Sequence, residues 1–266
     1  MRFERPAEPQ ATENLILTCC LVFALQTLTG PWFEMLFSLS WAGLRAGWIW
    51  QLITYQFLHG NAPHLLLNMI ALWFAGRELE RVLGTRRFLT LYFAGGVVGG
   101  LLQVVLSPYV PLVGASASVC AVLLCLTSLF PNVPLTALIF FILPLRTRAK
   151  YLGWGMVIAG IVFWVSGLMP NVGHAAHLGG FVTGWVFALI YRREFRHLAA
   201  GNPFARRVSE PWPHTPPPVT EAQFEIVRDE TPARTVDEVL AKILRDGIDS
   251  LTREERRILE DARRRR

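Results

Sequence analysis

Apolar runs long enough to cross a bilayer recur along this sequence, and a water-soluble domain of 266 residues has no core that would use them. They fall at residues 15–28, 63–79, 88–106, 116–130, 151–169 and 172–191. Hydrophobic residues make up 52% of the chain although the stretch after Arg193 is polar overall, so the excess lies in what precedes it. The expected fold class is an all-α integral membrane protein: a six-transmembrane-helix bundle with a small helical soluble tail.

The intervening pieces have their own character. Residues 1–14 read as a short polar leader, expected on the cytoplasmic side. No small-x-small cleavage site follows Leu28, so the first apolar run is expected to stay as a span. Residues 30–61 are broken by glycine and polar residues yet rich in Trp32, Phe33, Trp41, Trp48 and Trp50, the composition of an aromatic layer at the membrane surface. Residues 133–145 are apolar but short, and Pro131, Pro134 and Pro144 punctuate them, which suits a re-entrant or interfacial piece better than a span. The membrane domain is thus expected over 15–193 and a Pro-rich linker over 194–234. A short helical cytoplasmic tail is expected over 235–266, with capping boxes at Thr235-x-x-Glu238 and Thr252-x-x-Glu255 on either side of Asp246-Gly247.

A net charge of +6 would point to nucleic acid in a soluble protein. Here the basic residues flank apolar runs, as topology signals and contacts to anionic lipid do. Arg2 and Arg5, then Arg77, Arg81, Arg86 and Arg87, then Arg146, Arg148 and Lys150, then Arg192, Arg193 and Arg196 occupy alternate connections. The other connections hold only Arg45. By the positive-inside rule both termini are cytoplasmic, and the second, fourth and sixth spans all run from outside to inside. Cys19, Cys20, Cys120 and Cys125 lie inside apolar runs, which speaks against a disulfide framework or a zinc site.

The polar residues of those three spans collect near one depth. The second opens with His64 and Asn68, spaced i and i+4 on one helical face, and His59 precedes it. The fourth opens with Gly114-Ala115-Ser116-Ala117 after the helix-breaking Pro108 and Pro111. Ser116 would sit in the first helical turn, beside unspent backbone N–H groups and the positive end of the helix dipole. The sixth opens with His174 and His177, followed by Gly179, Gly180 and Gly184. Polar and ionisable groups inside a bilayer are costly and usually functional. A metal site lacks acidic or thiolate ligands at that depth, and neither His-Glu-x-x-His nor its inverse occurs. A proton-coupled transporter would call for a carboxylate in the spans, and mid-membrane positions have none.

At these residues the chain resembles the rhomboid family of intramembrane serine proteases, in its bacterial six-span form with a C-terminal tail. Gly114-Ala115-Ser116 resembles the family's Gly-x-Ser motif. His64 to Asn68 resembles its second-span His-x-x-x-Asn, and His59 the loop histidine before it. His177-Leu178-Gly179-Gly180 with Gly184 resembles the sixth-span motif, and Glu80 to Gly84 a Glu-x-x-x-Gly. Three positions depart from it: Gln51 follows Trp50 where the family has Arg, Ala117 stands for a common Gly, and Cys120 for a common aromatic.

The resemblance implies a Ser116–His177 dyad with His177 as general base and then general acid. It implies an oxyanion site made by the Ser116 N–H, His64 and Asn68, with Gly114 shaping the loop and His59 and His174 in support. The implied substrates are transmembrane helices of other membrane proteins, cut near their outer ends, in the cell inner membrane. No cofactor, metal or nucleic-acid partner is implied. The alternative is a catalytically inactive relative that binds membrane clients as a chaperone or adaptor; retention of Ser116, His177, His64 and Asn68 speaks for activity.

Overall fold

A computed structural model describes residues 9–139, 143–168, 172–199 and 235–264, in two compact units, Met1–Pro211 and Trp212–Arg266. The first unit opens with α1 (Gln10–Thr29) and three short helices, α2 (Pro31–Phe37), α3 (Trp41–Arg45) and α4 (Gln51–Thr54), the last running into a 3₁₀ turn, Tyr55–Phe57. Then come α5 (Ala62–Ala71), a π-helical segment (Leu72–Gly76), α6 (Arg77–Leu83), α7 (Thr85–Leu106) and α8 (Ser116–Leu129). Strands β1 (Pro134–Ile139) and β2 (Leu143–Arg148) precede α9 (Ala149–Ser166) and α10 (His174–Ala199).

Among the described residues, three helices are long and apolar enough to cross a membrane: α1, α7 and α9. The other long stretches depart from that pattern for visible reasons. Helix α8 has only 14 residues, the α5–α6 stretch is interrupted by its π segment, and α10 spends its first turns on His174, His177 and three glycines.

Two expected boundaries shift. Helix α1 begins at Gln10, inside the expected leader, because a partner waits for its free N–H groups. The buried Glu80 carboxylate accepts from Ala11 N at 3.0 Å, Thr12 N at 2.8 Å and Thr12 Oγ1 at 2.7 Å. Thr85 Oγ1 adds a bond at 2.9 Å, so one side chain ties α1, α6 and α7 together. At the other end α10 runs on to Ala199, into the expected linker; residues 200–234 lie outside the described residues.

The all-α expectation needs correction at residues 133–145. Strands β1 and β2 pair antiparallel, from Pro134 opposite Arg148 to Ile139 opposite Leu143. Proline removes a helical donor at 131, 134 and 144, whereas a two-stranded hairpin is all edge and tolerates it. The hairpin returns the chain to the level it left, so α8 ends and α9 begins side by side.

The core of this unit is a seam of small residues joining α7, α8 and α10. A Cβ on Gly95 would run into Ala121, one on Gly180 into the Ala117 carbonyl, and one on Gly184 into the Ala121 carbonyl. Gly99 lies where a Cβ would meet the Ala176 carbonyl at 2.6 Å, and Gly179 where it would meet Gly99 Cα at 2.7 Å. Backbones approach this closely only where side chains are absent.

The second unit contains α11 (Val236–Asp246), a 3₁₀ turn (Ile248–Ser250) and α12 (Arg253–Arg264). Both expected capping boxes form. Glu238 N donates to Thr235 Oγ1 at 3.4 Å while Thr235 N donates to Glu238 at 3.1 Å. Glu255 N donates to Thr252 Oγ1 at 3.3 Å and Thr252 N to Glu255 at 2.8 Å. The buried Glu255 also receives Lys242 Nζ at 3.0 Å, which joins α12 to α11.

Candidate active site

The loop before α8 is held from both ends. Leu39 and Leu112 exchange backbone hydrogen bonds of 3.0 and 2.8 Å, and Gly114 N donates to the Tyr55 carbonyl at 2.9 Å. Gly114 has φ +120°, a conformation other residues rarely adopt, and a Cβ there would meet His64 Cε1 at 2.6 Å. Position 114 is therefore fixed as glycine twice over, by its dihedral and by the imidazole lying on it. The turn delivers Ser116 as the first residue of α8, and Ala115, at the N-cap, contributes no side-chain bond. The first-turn N–H groups are thus not spent on a capping side chain.

Helix α10 supplies the partner. His177 Nε2 lies 2.7 Å from Ser116 Oγ, both side chains half-buried. One turn away, Gly180 meets the backbone of Ala117. Gln103 on α7 steadies the same turn, its Oε1 accepting from Ala176 N at 3.3 Å. Among the described residues no carboxylate bonds to His177; His174 packs edge-on against it, ring centroids 6.2 Å apart.

The other candidates take distinct places. His64 covers Gly114, with its backbone N–H capped by Asn61 Oδ1 at 2.8 Å. Asn68, a turn further on, is nearly buried, and its Nδ2 donates to the His64 carbonyl at 3.0 Å. Neither has a hydrogen bond to Ser116 in this state. His59 is fully buried in the loop before α5, edge-on to His64 at 5.2 Å. Its backbone is gripped by the Gln26 amide from α1, which donates to the His59 carbonyl and accepts from its N–H, each at 3.1 Å. Burial, reinforced by His64 alongside, pushes the His59 pKa down to about 4 and keeps that ring neutral. His174 bonds through Nε2 to the Leu168 carbonyl at 3.1 Å and packs on Phe163, so it links α10 to the end of α9. Among the described residues no group of three His, Cys, Asp or Glu side chains is arranged to hold a metal ion.

Several buried amides support this site, and only one of them, Gln51, stood out in the sequence. Gln51, where the family has Arg, is fully buried and organises the surface segment: its Oε1 accepts from Ser40 N at 3.2 Å and its Nε2 donates to the Leu36 carbonyl at 3.2 Å. Gln56, also fully buried, accepts from Ser118 Oγ at 3.0 Å and donates to the Leu52 carbonyl at 2.9 Å. It thereby couples that segment to α8 two residues beyond Ser116. A hydroxyl held against a ring nitrogen at a helix start, with backbone donors beside it, is an arrangement suited to nucleophilic acyl transfer.

Residues 46–194 match the model of the Rhomboid domain. The chain is 35% identical over 141 residues to "Rhomboid protease GluP" of Bacillus subtilis, covering 52% of this chain and 25% of that protein. It is 27% identical over 150 residues to "Rhomboid-like protease 3" of Toxoplasma gondii, covering 56% and 54%. It is also 26% identical over 136 residues to "Inactive rhomboid protein 2" of Homo sapiens, covering 51% and 15%. The chain therefore spans about half or less of the length of each of these relatives.

Proposed function

We propose that this chain, which belongs to the rhomboid family of multi-pass membrane proteins, is a working serine endopeptidase that cleaves transmembrane helices of other membrane proteins near their outer ends. The observation that carries the reading is the 2.7 Å separation of Ser116 Oγ and His177 Nε2. Inactive relatives exist, and an adaptor that binds clients without cutting them would have no use for that contact.

In the proposed cycle Ser116 Oγ attacks the scissile carbonyl carbon while its proton passes to His177 Nε2. The carbonyl oxygen becomes an oxyanion, received by the Ser116 N–H with His64 and Asn68 turning toward it. Collapse breaks the C–N bond, and His177 gives its proton to the departing amine. Water then attacks the acyl carbon and gives a proton to His177, which passes it to Ser116 Oγ as the ester C–O bond breaks and the acid departs. A carboxylate behind the imidazole, usual in soluble serine proteases, would be costly at this depth. The glycine seam and the ring of His174 orient His177 instead. His59 supports His64 through their ring contact, and Gly114 leaves room for the His64 ring.

The proposed topology has six spans, with the 62–83 stretch, α8 and α10 added to the three long apolar helices, and both termini in the cytoplasm of a bacterial-type cell with the protein in its inner membrane. The antiparallel hairpin supports it, because it returns the chain to one side between α8 and α9. Ser116 and His177 then both open helices that start on the outer side.

Labelling with a fluorophosphonate in membranes tests the reading, followed by incubation with a model transmembrane substrate. Wild type should label and cleave; Ser116→Ala should do neither while inserting normally. Cleavage by Ser116→Ala at the wild-type rate would overturn it.

A further inference from the structure

At the opposite ends of the helices that carry the dyad, α8, α9 and α10 leave a cleft of about 220 Å³ between them. Its α8 residues, Leu124 to Ser128, lie two to three turns beyond Ser116, on the order of 12–18 Å along the helix. Lys150 and Arg192 line it together with Trp154, Trp185, Leu124 and Leu189. We propose that this cleft binds an anionic phospholipid, with the phosphate between Lys150 and Arg192 and the first part of an acyl chain against Trp154, Trp185 and Leu189.

Three observations converge on that occupant. Arg77, Arg81 and Arg87 at nearby helix ends each meet a carboxylate, Glu13, Glu78 and Glu194. Among the described residues neither Lys150 nor Arg192 has an acidic partner; Lys150 Nζ stands 5.1 Å over the ring of Tyr151. Two cations on one cleft leave a positive charge that an oxyanion would neutralise. Both indoles are well exposed, Trp154 at 50% and Trp185 at 42%, on two helices that span the bilayer in the proposed topology. Trp beside Lys or Arg marks the headgroup level of a membrane. Finally, the lining is amphipathic: Lys150, Arg192 and Ser128 share it with Leu124, Ala188 and Leu189. A free phosphate would satisfy only the cations, whereas a phospholipid satisfies the cations and the apolar lining together. Beside the cleft α8 and α9 are in close contact: Gly153 comes so near Thr127 that a Cβ there would collide with its hydroxyl.

The test uses the full-length protein in nanodiscs containing phosphatidylglycerol or phosphatidylcholine, each brominated in its acyl chains, with tryptophan quenching as the readout. The chain has nine tryptophans, so the signal is the difference between wild type and Trp154→Phe/Trp185→Phe. Brominated phosphatidylglycerol should quench this component several-fold more than brominated phosphatidylcholine. Lys150→Gln/Arg192→Gln should erase the preference, and Lys150→Arg should restore it on the Arg192 wild-type background relative to Lys150→Gln. Thermal melting of each variant checks that the fold survives, independently of any protease activity. Equal quenching by the two lipids, or a preference that persists in the double Gln variant, would overturn the proposal. So would displacement of the lipid by millimolar inorganic phosphate, which would make the cleft a simple anion site.

Discussion

Gly180 rests against the carbonyl of Ala117 with no room for a methyl group between them. One turn before Gly180 is His177, and one residue before Ala117 is Ser116, so a backbone contact between α8 and α10 lies beside the 2.7 Å pair of the proposed dyad. Gly180→Ala should therefore push the helices apart, lower stability by about 1–3 kcal/mol as overpacking does and reduce cleavage far more than that loss of folded protein explains. Gly155→Ala is the control, since a Cβ at position 155 meets nothing within 4 Å. Melting temperature and turnover measured on both variants decide it: equal behaviour would mean that the seam does not hold the dyad.

Ser118 and Gln56 form a second, polar coupling to the same helix. Ser118→Ala leaves the buried Gln56 Oε1 without its donor and should cost about 1–3 kcal/mol. Ser118→Ala combined with Gln56→Leu should cost less than the sum of the two single changes. A double-mutant cycle from denaturation measures the coupling; strict additivity would show that the bond contributes nothing.

Glu80→Gln is nearly isosteric, but it places an NH₂ group among donors that all need an acceptor. With Ala11 N, Thr12 N, Thr12 Oγ1 and Thr85 Oγ1 converging there, at least one bond is lost and two donors face each other. The expected loss is about 2 kcal/mol or more, with the start of α1 released. Limited proteolysis near Gln10 should quicken in the variant, and an unchanged rate would contradict the role given to Glu80.

Topology is open to direct measurement. Single cysteines at Pro108 and Asn171 should react with an impermeant maleimide added outside intact cells, and one at Arg148 should not. Reaction of the Arg148→Cys protein from outside would place the β1–β2 hairpin on the outer face and reverse the proposed orientation.

The groups of the candidate site were legible in the sequence because they are chemically conspicuous where they stand. Ser116, His177, His64 and Asn68 interrupt apolar runs, and a bilayer makes each interruption expensive. The glycines were visible for the opposite reason: three of them within six residues of α10 leave one face bare. Gln56 and Gln103 gave no such sign. They too are buried, but their partners are backbone atoms and a hydroxyl far off in the sequence, and no local pattern encodes them. The hairpin escaped because proline marks where helix stops without saying what replaces it. The early start of α1 escaped because its cap is Glu80, far along the chain and not a neighbouring residue.

The π segment Leu72–Gly76 sits between the half-helix that carries His64 and the half-helix that carries Glu80. A π turn accommodates one more residue than the α-helix around it, and each residue turns an α-helix by about 100°. The segment is thus a phase shifter, setting the compass bearing of Glu80 toward α1 independently of the bearing of His64 toward Gly114. Deleting Ala75 would act as a twist of one half against the other, misaiming whichever end yields, whereas Ala75→Gly would remove a methyl and keep both bearings. Melting curves of the two variants would separate a lost phase from a lost side chain.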